Sequence, residues 1–292
     1  MYKRIFDALN YRKLLNWLPD KVFLEVAFRA RFGRKLDLEN PKTFNEKLQW
    51  MKLYNRKPEY TMMVDKYLVR EYVRKKIGEK YLIPLLGVWD DPNKIDFDNL
   101  PMQFVLKCNH NSGLGMCICK DKNNLDIARV KKELQKGIKQ DYYLTGREWP
   151  YKNVPRRIIA EKYMVDESGY ELKDYKYYCF DGKVKIVMIN SDRMSSKETK
   201  ANYFDENYQP LDFVWGYEKA KIPPIKPEKF EDMKCLAEKL SEGIPHVRID
   251  FYQTPHGVFF GEMTFFDGCG FDAIEPIEWD YKIGSWINLP RK

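Results

Sequence analysis

Two runs of residues near the C-terminus alternate between charged and apolar side chains, and this pattern limits the fold more than any other feature. In residues 247–252, Arg248 and Asp250 alternate with apolar residues, so in a strand they would share one face. Residues 258–266 place Glu262 in a second such run, after a turn-like segment. If the runs pair as a hairpin, Asp250 falls opposite or diagonal to Glu262. Two carboxylates would then converge beside an arginine.

Other segments extend the strand-rich part of the chain. Short β-branched, aromatic and apolar runs, bounded by turn residues, predict strands at residues 103–107, 157–163, 172–180 and 183–190. Asp181 and Gly182 form a favoured two-residue hairpin turn between the last two.

The first 95 residues, by contrast, have helical patterns. Thr43 and Glu46 have the spacing of a capping box. A further helix is predicted at residues 60–77 and ends before Gly78. Helical periodicity returns at residues 127–138 and 228–242. The predicted fold class is α+β, with mainly antiparallel strands in the second half.

The chain has 292 residues, of which 44% are hydrophobic, so it can bury a core. Lysine and arginine total 51 against 43 aspartate and glutamate, a net charge of +8. This excess suits phosphate-bearing or anionic partners, and we expect no nucleic-acid partner. The six cysteines are expected to be reduced thiols in the cytoplasm, because a chain of this length needs no disulfides and no secretory leader is recognised.

No apolar run reaches the roughly 20 residues that span a bilayer. Residues 2–34 nevertheless mix basic and apolar side chains at helical spacing. A helix packed on its own domain is the commoner explanation, and a peripheral amphipathic helix at a membrane surface is the alternative. We therefore expect a cytoplasmic protein, with membrane-peripheral contact left open.

A predicted strand ending at Lys107 runs directly into a loop that contains Gly113 and Gly115. Glycines let backbone N–H groups approach phosphate oxygens closely, and a lysine on a strand supplies a fixed positive charge. The Gly-Lys-Ser/Thr ending of a Walker motif is absent. Phosphate binding and an ordinary hairpin loop both remain open on this segment alone.

The carboxylates of Asp250 and Glu262 suit Mg²⁺, which binds proteins through one or two carboxylates and completes its shell with phosphate and water. A surface ion pair with Arg248 is the alternative. A glycosidase carboxylate pair is a third possibility, but it would leave the Lys107 loop without a role.

Charged residues also occur between these two ends. Residues 157–164 read as a strand leading into a connector, and Asp174 and Lys176 would share one face of a later strand. Arg193 follows. Each of them taken singly could be a solvated charge at a sheet edge.

The order of these segments resembles the ATP-grasp superfamily. There, a lysine strand with a glycine-rich loop precedes a hinge glutamate, an Asp-x-Lys/Arg strand, and Arg-x-Asp and Glu-x-Asn strands. The middle of the chain is similar to the ribosomal-protein glutamate ligases. The chain resembles in particular the TupA-like branch, which is associated with bacterial cell-surface polysaccharide, capsule and teichuronopeptide synthesis. This resemblance lies in residues 40–47, 65–66, 81–88, 174–176 and 260–265.

This resemblance implies an ATP-grasp fold in which mainly antiparallel sheets sandwich a nucleotide, with ATP and Mg²⁺ as cofactors. It suggests three parts. Residues 1–95 would form a helical N-terminal region that could bind the acceptor. Residues 96–165 would form the lobe with the lysine strand and the glycine-rich loop. Residues 166–292 would form the C-terminal lobe with the Mg²⁺-binding carboxylates.

The resemblance also implies residue roles at the nucleotide. Lys107 would hold α- and β-phosphate oxygens under a flap formed by Ser112, Gly113 and Gly115. The adenine would face Glu161 and the backbone of Lys162, Tyr163 and Met164. The ribose would bind Asp174, or alternatively Asp166 or Glu167.

At the reacting groups, Lys176 would approach the terminal phosphates, and Arg193 and Arg248 would approach the transferred phosphoryl group or the acyl phosphate. The metal ligands would be Asp250, Glu262 and Thr264. Thr264 stands where the superfamily usually has asparagine, and a hydroxyl binds Mg²⁺ more weakly than an amide carbonyl does.

The implied reaction is the ATP-dependent joining of a carboxylate to an amine through an acyl phosphate. The expected partners are a glycan or uronic-acid carboxylate and an amine donor, and peripheral contact with a membrane or with polysaccharide-synthesis machinery is left open. One rival is a glycosyltransferase that uses Asp96 and Asp98 as a metal-binding Asp-x-Asp. The others are an ATP-dependent glycan kinase and a non-catalytic binding module.

Overall fold

Five α-helices precede the first strand in the part of the chain that the structure describes. The computed structural model describes residues 2–191 and 199–291. The helices are α1 (Tyr2–Tyr11), α2 (Asp20–Phe32), α3 (Phe44–Tyr54), α4 (Glu59–Val64) and α5 (Val69–Lys76). Helices α1 and α2 pack through Phe6 and Phe23, whose ring centroids lie 5.6 Å apart.

The predicted capping box begins helix α3. The Thr43 hydroxyl accepts a hydrogen bond from the Glu46 N–H at 3.2 Å, and the Glu46 carboxylate accepts one from the Thr43 N–H at 3.0 Å. These bonds satisfy two donors that the first helical turn leaves free. The helix then buries Leu48 and Met51 in the main core. The capping box is therefore confirmed.

The helix predicted at residues 60–77 is divided into α4 and α5. Asp65 causes the break, because its carboxylate accepts hydrogen bonds from the Tyr67 N–H at 2.8 Å and from the Asn109 side chain at 2.8 Å. The Lys66 N–H donates to the Asn109 carbonyl at 3.1 Å instead of continuing the helix. Tertiary contacts thus override the local helical preference, while Gly78 still follows the last helical turn with a φ of +107°.

A four-stranded antiparallel sheet forms the smaller of two lobes. Its strands are β1 (Leu85–Trp89), β2 (Phe104–Cys108), β3 (Met116–Cys119) and β4 (Ile158–Lys162), in the order β1-β4-β2-β3. Helix α6 (Ile127–Lys139) covers one face through Val130 and Leu134, and the short helix α7 (Tyr143–Gly146) follows. Strands β2 and β4 confirm two predictions, whereas β1 and β3 were not predicted.

A five-stranded antiparallel sheet forms the larger lobe. Its order is β10-β9-β5-β6-β7, and its strands are β5 (Asp174–Phe180), β6 (Lys183–Ser191), β7 (Lys200–Phe204), β9 (His246–Thr254) and β10 (Gly257–Thr264). Helix α8 (Phe230–Ser241) packs on one face and buries Phe230, Met233 and Leu240. Strands β5, β6, β9 and β10 confirm the sequence predictions.

Three shorter elements complete the described fold. Strands β8 (Val214–Trp215) and β11 (Ile274–Glu275) pair with each other, and helix α9 (Ile277–Ser285) packs against α3. The predicted Asp181–Gly182 turn joins β5 to β6, with positive φ angles of 47° and 78°. No helix within residues 2–191 and 199–291 combines the length and apolar character needed to cross a lipid bilayer.

Candidate functional site

A cavity of about 650 Å³ lies between the two large sheets. The small lobe contributes side chains from β2, β4 and the loop after β2, and the large lobe contributes side chains from β5, β6, β9 and β10. The sequence predictions that line it are Lys107, Ser112, Gly113, Glu161, Lys162, Tyr163, Met164, Asp174, Lys176, Arg248, Asp250 and Glu262. Residues separated by up to 155 positions in sequence therefore meet in one space.

One row of paired residues crosses the large sheet beneath the cavity. Each residue faces the next across neighbouring strands, and all five line the cavity: Glu262, Asp250, Lys176, Met188 and Tyr203. The row is charged at the β10 end and apolar at the β7 end. Two chemically different halves of the cavity follow from this order.

The pairing of Glu262 with Asp250 depends on a bulge at Gly261. Phe260 pairs with Phe251, and Gly261 is skipped before Glu262 pairs with Asp250. Without the bulge, Gly261 would face Asp250, and the Glu262 side chain would point to the opposite face of the sheet. The predicted convergence is confirmed, but it results from a tight turn followed by a bulge.

Arg248 joins the two carboxylates. Its Nε and Nη2 donate to the Asp250 carboxylate at 2.7 and 2.8 Å, and Nη2 also donates to Glu262 Oε1 at 2.9 Å. Its Nη1 donates to Asp267. Burial raises the pKa of Asp250 despite the nearby Arg248 and Lys176. Arg248 and Lys176, rather than solvent, are therefore the groups that oppose the effect of burial on Asp250.

Glu262 has the opposite balance. Burial by itself would raise its pKa, but Lys66, Arg248 and Lys176 outweigh that effect and lower the pKa to about 2. Thr264 donates to Glu262 Oε1 at 3.1 Å and is not part of the cavity lining. The structure thus places Thr264 where it orients Glu262.

Lys176 lies between two carboxylates. Its Nζ donates to Asp174 and, at 2.8 Å, to Asp250 Oδ2. Desolvation lowers the pKa of Lys176, but Asp250 and Asp174 more than compensate, so the pKa is raised. The lysine is consequently a fixed positive charge in the cavity.

Lys107 is paired on the opposite wall. Its Nζ lies 2.6 Å from Glu161 Oε2, and Arg70 Nη1 lies 3.6 Å from Glu161 Oε1. Glu161 can therefore orient Lys107 as well as face a base. The proposed contact of Glu161 with adenine stays a prediction.

The two loop glycines have different surroundings. Gly113 has a φ of +79° and open space where a Cβ would be, and it lines the cavity. Gly115, with a φ of +71°, would place a Cβ 2.8 Å from Gly137 Cα on α6. Gly113 is thus available to a ligand, whereas Gly115 lets the loop pack on the helix.

The two alternative ribose ligands, Asp166 and Glu167, form hydrogen bonds with protein groups outside the cavity. The Asp166 carboxylate accepts backbone N–H groups of Ser168 and Lys173 at 2.8 and 3.2 Å, and Glu167 accepts from Gln253 at 2.6 Å. Neither residue lines the cavity, whereas Asp174 does. Arg193 lies outside the described residues. Asp96 and Asp98 of the rival Asp-x-Asp motif are exposed in a turn and do not line the cavity.

Lys66 was not singled out as a site residue from the sequence, although its dipeptide with Asp65 is part of the resemblance. Its Nζ donates to the Asn111 carbonyl at 2.8 Å and lies 3.6 Å from Glu262 Oε2. The cavity also contains Asn190, Asp267 and Asp272, which the sequence analysis did not assign. The helix break at Asp65 brings Lys66 into the site.

Antiparallel sheets that face each other across a cavity, with a lysine and a glycine loop on one wall and carboxylates on the other, define an ATP-grasp fold of the ligase type. A family model described as TupA-like ATPgrasp matches residues 46–288. The chain belongs to the TupA-like ATP-grasp family.

Solved structures similar to this chain include two D-alanine–D-alanine ligases. The Helicobacter pylori enzyme is 14% identical with a TM-score of 0.46, over 85% of this chain and 70% of that one. The Bacillus anthracis enzyme complexed with ATP is 15% identical with a TM-score of 0.41, over 70% of this chain and 54% of that one.

One curated protein shares a shorter segment with the chain. A stretch of 100 residues is 33% identical to Sporulation-specific chitinase 2 of Saccharomyces cerevisiae. It covers 32% of this chain and 17% of that protein. The match to the Bacillus anthracis ligase covers 54% of that enzyme, so the chain spans about half of its length. The chitinase match covers a smaller share of both proteins.

Proposed function

We propose that the protein is an ATP- and Mg²⁺-dependent carboxylate–amine ligase that forms an amide through an acyl phosphate. The observation that carries the proposal is the cavity in which Lys107 faces the charged row of Glu262, Asp250 and Lys176. Membership of the ATP-grasp family supports the same reaction class.

The described residues fit a triphosphate. Lys66, Lys107, Lys176 and Arg248 all line the cavity, and the loop at Ser112 and Gly113 can present backbone N–H groups to phosphate oxygens. The backbone of residues 162–164 lines the same wall, next to β4, where a purine would lie. Such fixed charges lower the barrier to phosphoryl transfer because they need no rearrangement during the reaction.

The donor set also fits Mg²⁺. Asp250 and Glu262 supply hard oxygen ligands from paired positions, and both contact the same nitrogen, Nη2 of Arg248, at 2.8 and 2.9 Å. Mg²⁺ needs no more than two protein carboxylates when a nucleotide supplies the remaining ligands. The bound ion would neutralise phosphate charge, with Thr264 orienting Glu262.

The proposed chemistry proceeds in two balanced steps. An acceptor carboxylate oxygen attacks the γ-phosphorus of ATP, and the bond to the β-phosphate oxygen breaks to release ADP. The amine, once its ammonium form has lost a proton to solvent, attacks the acyl carbon through nitrogen, inorganic phosphate leaves with the bonding electrons, and the nitrogen loses its second proton to solvent. Lys107, Lys176 and Arg248 hold the anionic groups in both steps. Arg193 remains a proposed contributor on the basis of sequence.

For the substrates, we propose a uronic-acid carboxylate of a cell-surface polysaccharide or its precursor, together with an amine. This assignment rests on the branch that the sequence resembles. ATP as a substrate also favours a reaction on the cytoplasmic side of the membrane.

The decisive experiment incubates the protein with ATP, Mg²⁺ and an oligosaccharide containing glucuronic acid, with and without an amine mixture. We expect ADP and phosphate to appear together only when both acceptors are present, and the glycan to gain the mass of an amide. A phosphorylated glycan that persists with amine present would instead identify a kinase. Hexose transfer from a nucleotide sugar, with ATP unused, would contradict the proposal.

We further propose that α1 and the segment after it contact an anionic membrane surface. The side chains of Tyr2, Ile5, Tyr11, Leu14 and Trp17 are between 51% and 90% exposed. Lys3, Arg4, Arg12 and Lys13 are exposed in the same stretch. Exposed aromatic and basic side chains together suit the headgroup region of anionic lipids.

Co-sedimentation with vesicles tests this contact. Binding to vesicles of phosphatidylglycerol and phosphatidylcholine should exceed binding to phosphatidylcholine alone, and Trp17→Ser with Arg12→Ser should weaken it. Ile225→Ser is the matched control, because Ile225 is 91% exposed and lies between β8 and α8 rather than in or next to α1. Equal binding by all variants would exclude the α1 surface.

A further inference from the structure

One part of the cavity, termed the apolar branch, is lined by residues that have no role in the proposed nucleotide and metal site. Its walls are Met188 and Tyr203 from the large sheet and Trp215 and Tyr217 from the segment around β8. The Tyr203 hydroxyl donates to the Trp215 carbonyl at 2.6 Å, which fixes these two residues relative to each other. The branch is therefore a preformed aromatic pocket beside the reacting groups.

An unpaired acceptor lies in this branch. Asn190 is 7% exposed, lies on the same face of β6 as Met188 and lines the cavity. Its Oδ1 is buried without a hydrogen-bond partner among the described residues. A buried polar atom without a partner costs free energy unless a ligand or water satisfies it.

A carboxylate that has no hydrogen-bonded cation among the described residues lies at the same branch. Asp272 lines the cavity, and within residues 2–191 and 199–291 no side chain donates a hydrogen bond to it or forms an ion pair with it. The pKa of Asp272 is raised, chiefly by burial and then by the nearby Asp267, and the positive charges of Arg31 and Lys3 oppose this only in part. Asp267 differs, because Arg248 and the Tyr178 hydroxyl both donate to it.

The backbone holds Asp272 closely. A Cβ at Gly268 would lie 2.1 Å from Asp272 Oδ2, and one at Gly216 would lie 3.4 Å from the same atom. A side chain at Gly268 would therefore displace the carboxylate. Among the described residues, packing holds the Asp272 carboxylate in place without a hydrogen-bonded cation.

We propose that this branch binds the amine substrate as an ammonium ion, which donates to Asp272 and Asn190 and rests against the faces of Trp215 and Tyr217. Ammonium groups combine several hydrogen-bond donors with a positive charge that is attracted to aromatic faces. The opposite half of the cavity is rich in cations and suits the phosphates and the acceptor carboxylate. This inference rests on the proposed ligase function and names the class of its second substrate.

A binding experiment tests the inference without requiring turnover. The full chain, saturated with Mg²⁺ and a non-hydrolysable ATP analogue, is titrated calorimetrically with ethanolamine, L-alanine and glucosamine. Each amine is compared with its N-acetylated form, which keeps the remainder of the molecule and removes the positive charge. We expect at least one amine to bind and its N-acetylated form not to bind.

Asp272→Asn should weaken binding of that amine by about 10-fold to 100-fold, the effect of losing one charge-assisted hydrogen bond. Affinity for the ATP analogue should stay unchanged, which also shows that the variant is folded. Asp212→Asn, a fully exposed aspartate paired with Lys219 at 2.7 Å, is the matched control. Failure of all three amines to bind, equal binding of an N-acetylated form, or an unchanged affinity in Asp272→Asn would overturn the assignment.

These outcomes are separable from those of the ligase proposal. If the amines bind as expected but ATP is never consumed with any carboxylate, the branch assignment stands and the reaction is wrong. If ATP-dependent amide formation occurs but Asp272→Asn leaves the apparent KM for the amine unchanged, the reaction stands and the branch assignment is wrong.

Discussion

Lys66 and Glu262 come from opposite ends of the chain, and the Lys66 Nζ lies 3.6 Å from Glu262 Oε2. Lys66 lies near Glu262 because Asp65 interrupts the helix and accepts a hydrogen bond from the side chain of Asn109, just after β2. Lys66 therefore links the segment between α4 and α5 to strand β10. Removing Lys66 should change the electrostatics of Glu262 directly.

Lys66→Met should raise the pKa of Glu262 above its present value of about 2. The stability that ionised Glu262 contributes is fully present above its unfolded pKa of 4.5 and is lost as the pH falls through about 2. If the pKa of Glu262 in the folded protein is higher, less of the free energy of unfolding is lost as the pH falls. Urea unfolding at pH 5 and at pH 2 should therefore differ less in the variant than in the natural protein.

Lys75→Met is the matched control for this measurement. Lys75 forms an exposed pair with Glu71 at 3.4 Å, far more accessible to solvent than Lys66. Solvent screening makes such pairs weak. The same pH dependence in the Lys66 and Lys75 variants would contradict the coupling between Lys66 and Glu262.

Lys107→Ala should weaken ATP binding without unfolding the protein. The lysine lies in the cavity opposite the charged row, and losing one charge-assisted hydrogen bond costs about 1.5–3 kcal/mol. Titration calorimetry with ATP and Mg²⁺ measures the change, with Lys94→Ala on the exposed surface as the control. ATP affinity that is unchanged in a folded variant would remove Lys107 from the site.

Asp250→Asn and Glu262→Gln should each lower Mg²⁺-dependent turnover by at least about 100-fold, because metal ions supply several kcal/mol of transition-state stabilisation. Asp96→Asn and Asp98→Asn should leave turnover unchanged, since both side chains are exposed outside the cavity. Steady-state rates over a range of Mg²⁺ concentrations distinguish the two pairs. If Asp96→Asn and Asp98→Asn lowered turnover while Asp250→Asn and Glu262→Gln did not, the result would favour the glycosyltransferase alternative.

Gly115→Ala should destabilise the protein more than Gly113→Ala. Both residues have positive φ, so either substitution adds about 1–2 kcal/mol of backbone strain. At Gly115 the new methyl group would also meet Gly137 Cα at 2.8 Å, and overpacking costs about 1–3 kcal/mol more. Urea unfolding of both variants should show this difference, and equal losses would mean that the loop can move away from α6.

The residues of the large sheet were predictable because a period of two assigns faces without knowledge of the partner strand. Asp174 with Lys176, and Arg248 with Asp250, follow from alternation alone. The bulge at Gly261 was not predictable in this way, since a single extra residue changes the register without altering composition. The expected pairing of Glu262 was correct, but the turn and the bulge combine to produce it.

Other features depended on long-range contacts. Asp65 breaks a helix because Asn109 is nearby in space, 44 residues later in sequence. Strand β1 has no fully buried side chain, and β3 exposes Met116 and Ile118, so neither has a strong alternating pattern of its own. Asn190 and Asp272 belong to no motif in the sequence, because the surroundings of their side chains depend on the fold.

The row from Glu262 to Tyr203 sets the distance between the charged and the apolar half of the cavity. Hydrogen-bonded strands lie about 4.8 Å apart, so the row measures about 19 Å, with about 10 Å between Lys176 and Tyr203. A bisubstrate inhibitor could use this distance directly. A nucleoside diphosphate joined to a cationic amine should bind best when its linker spans about 10 Å, and shorter or longer linkers would leave one of the two ends outside its half of the cavity.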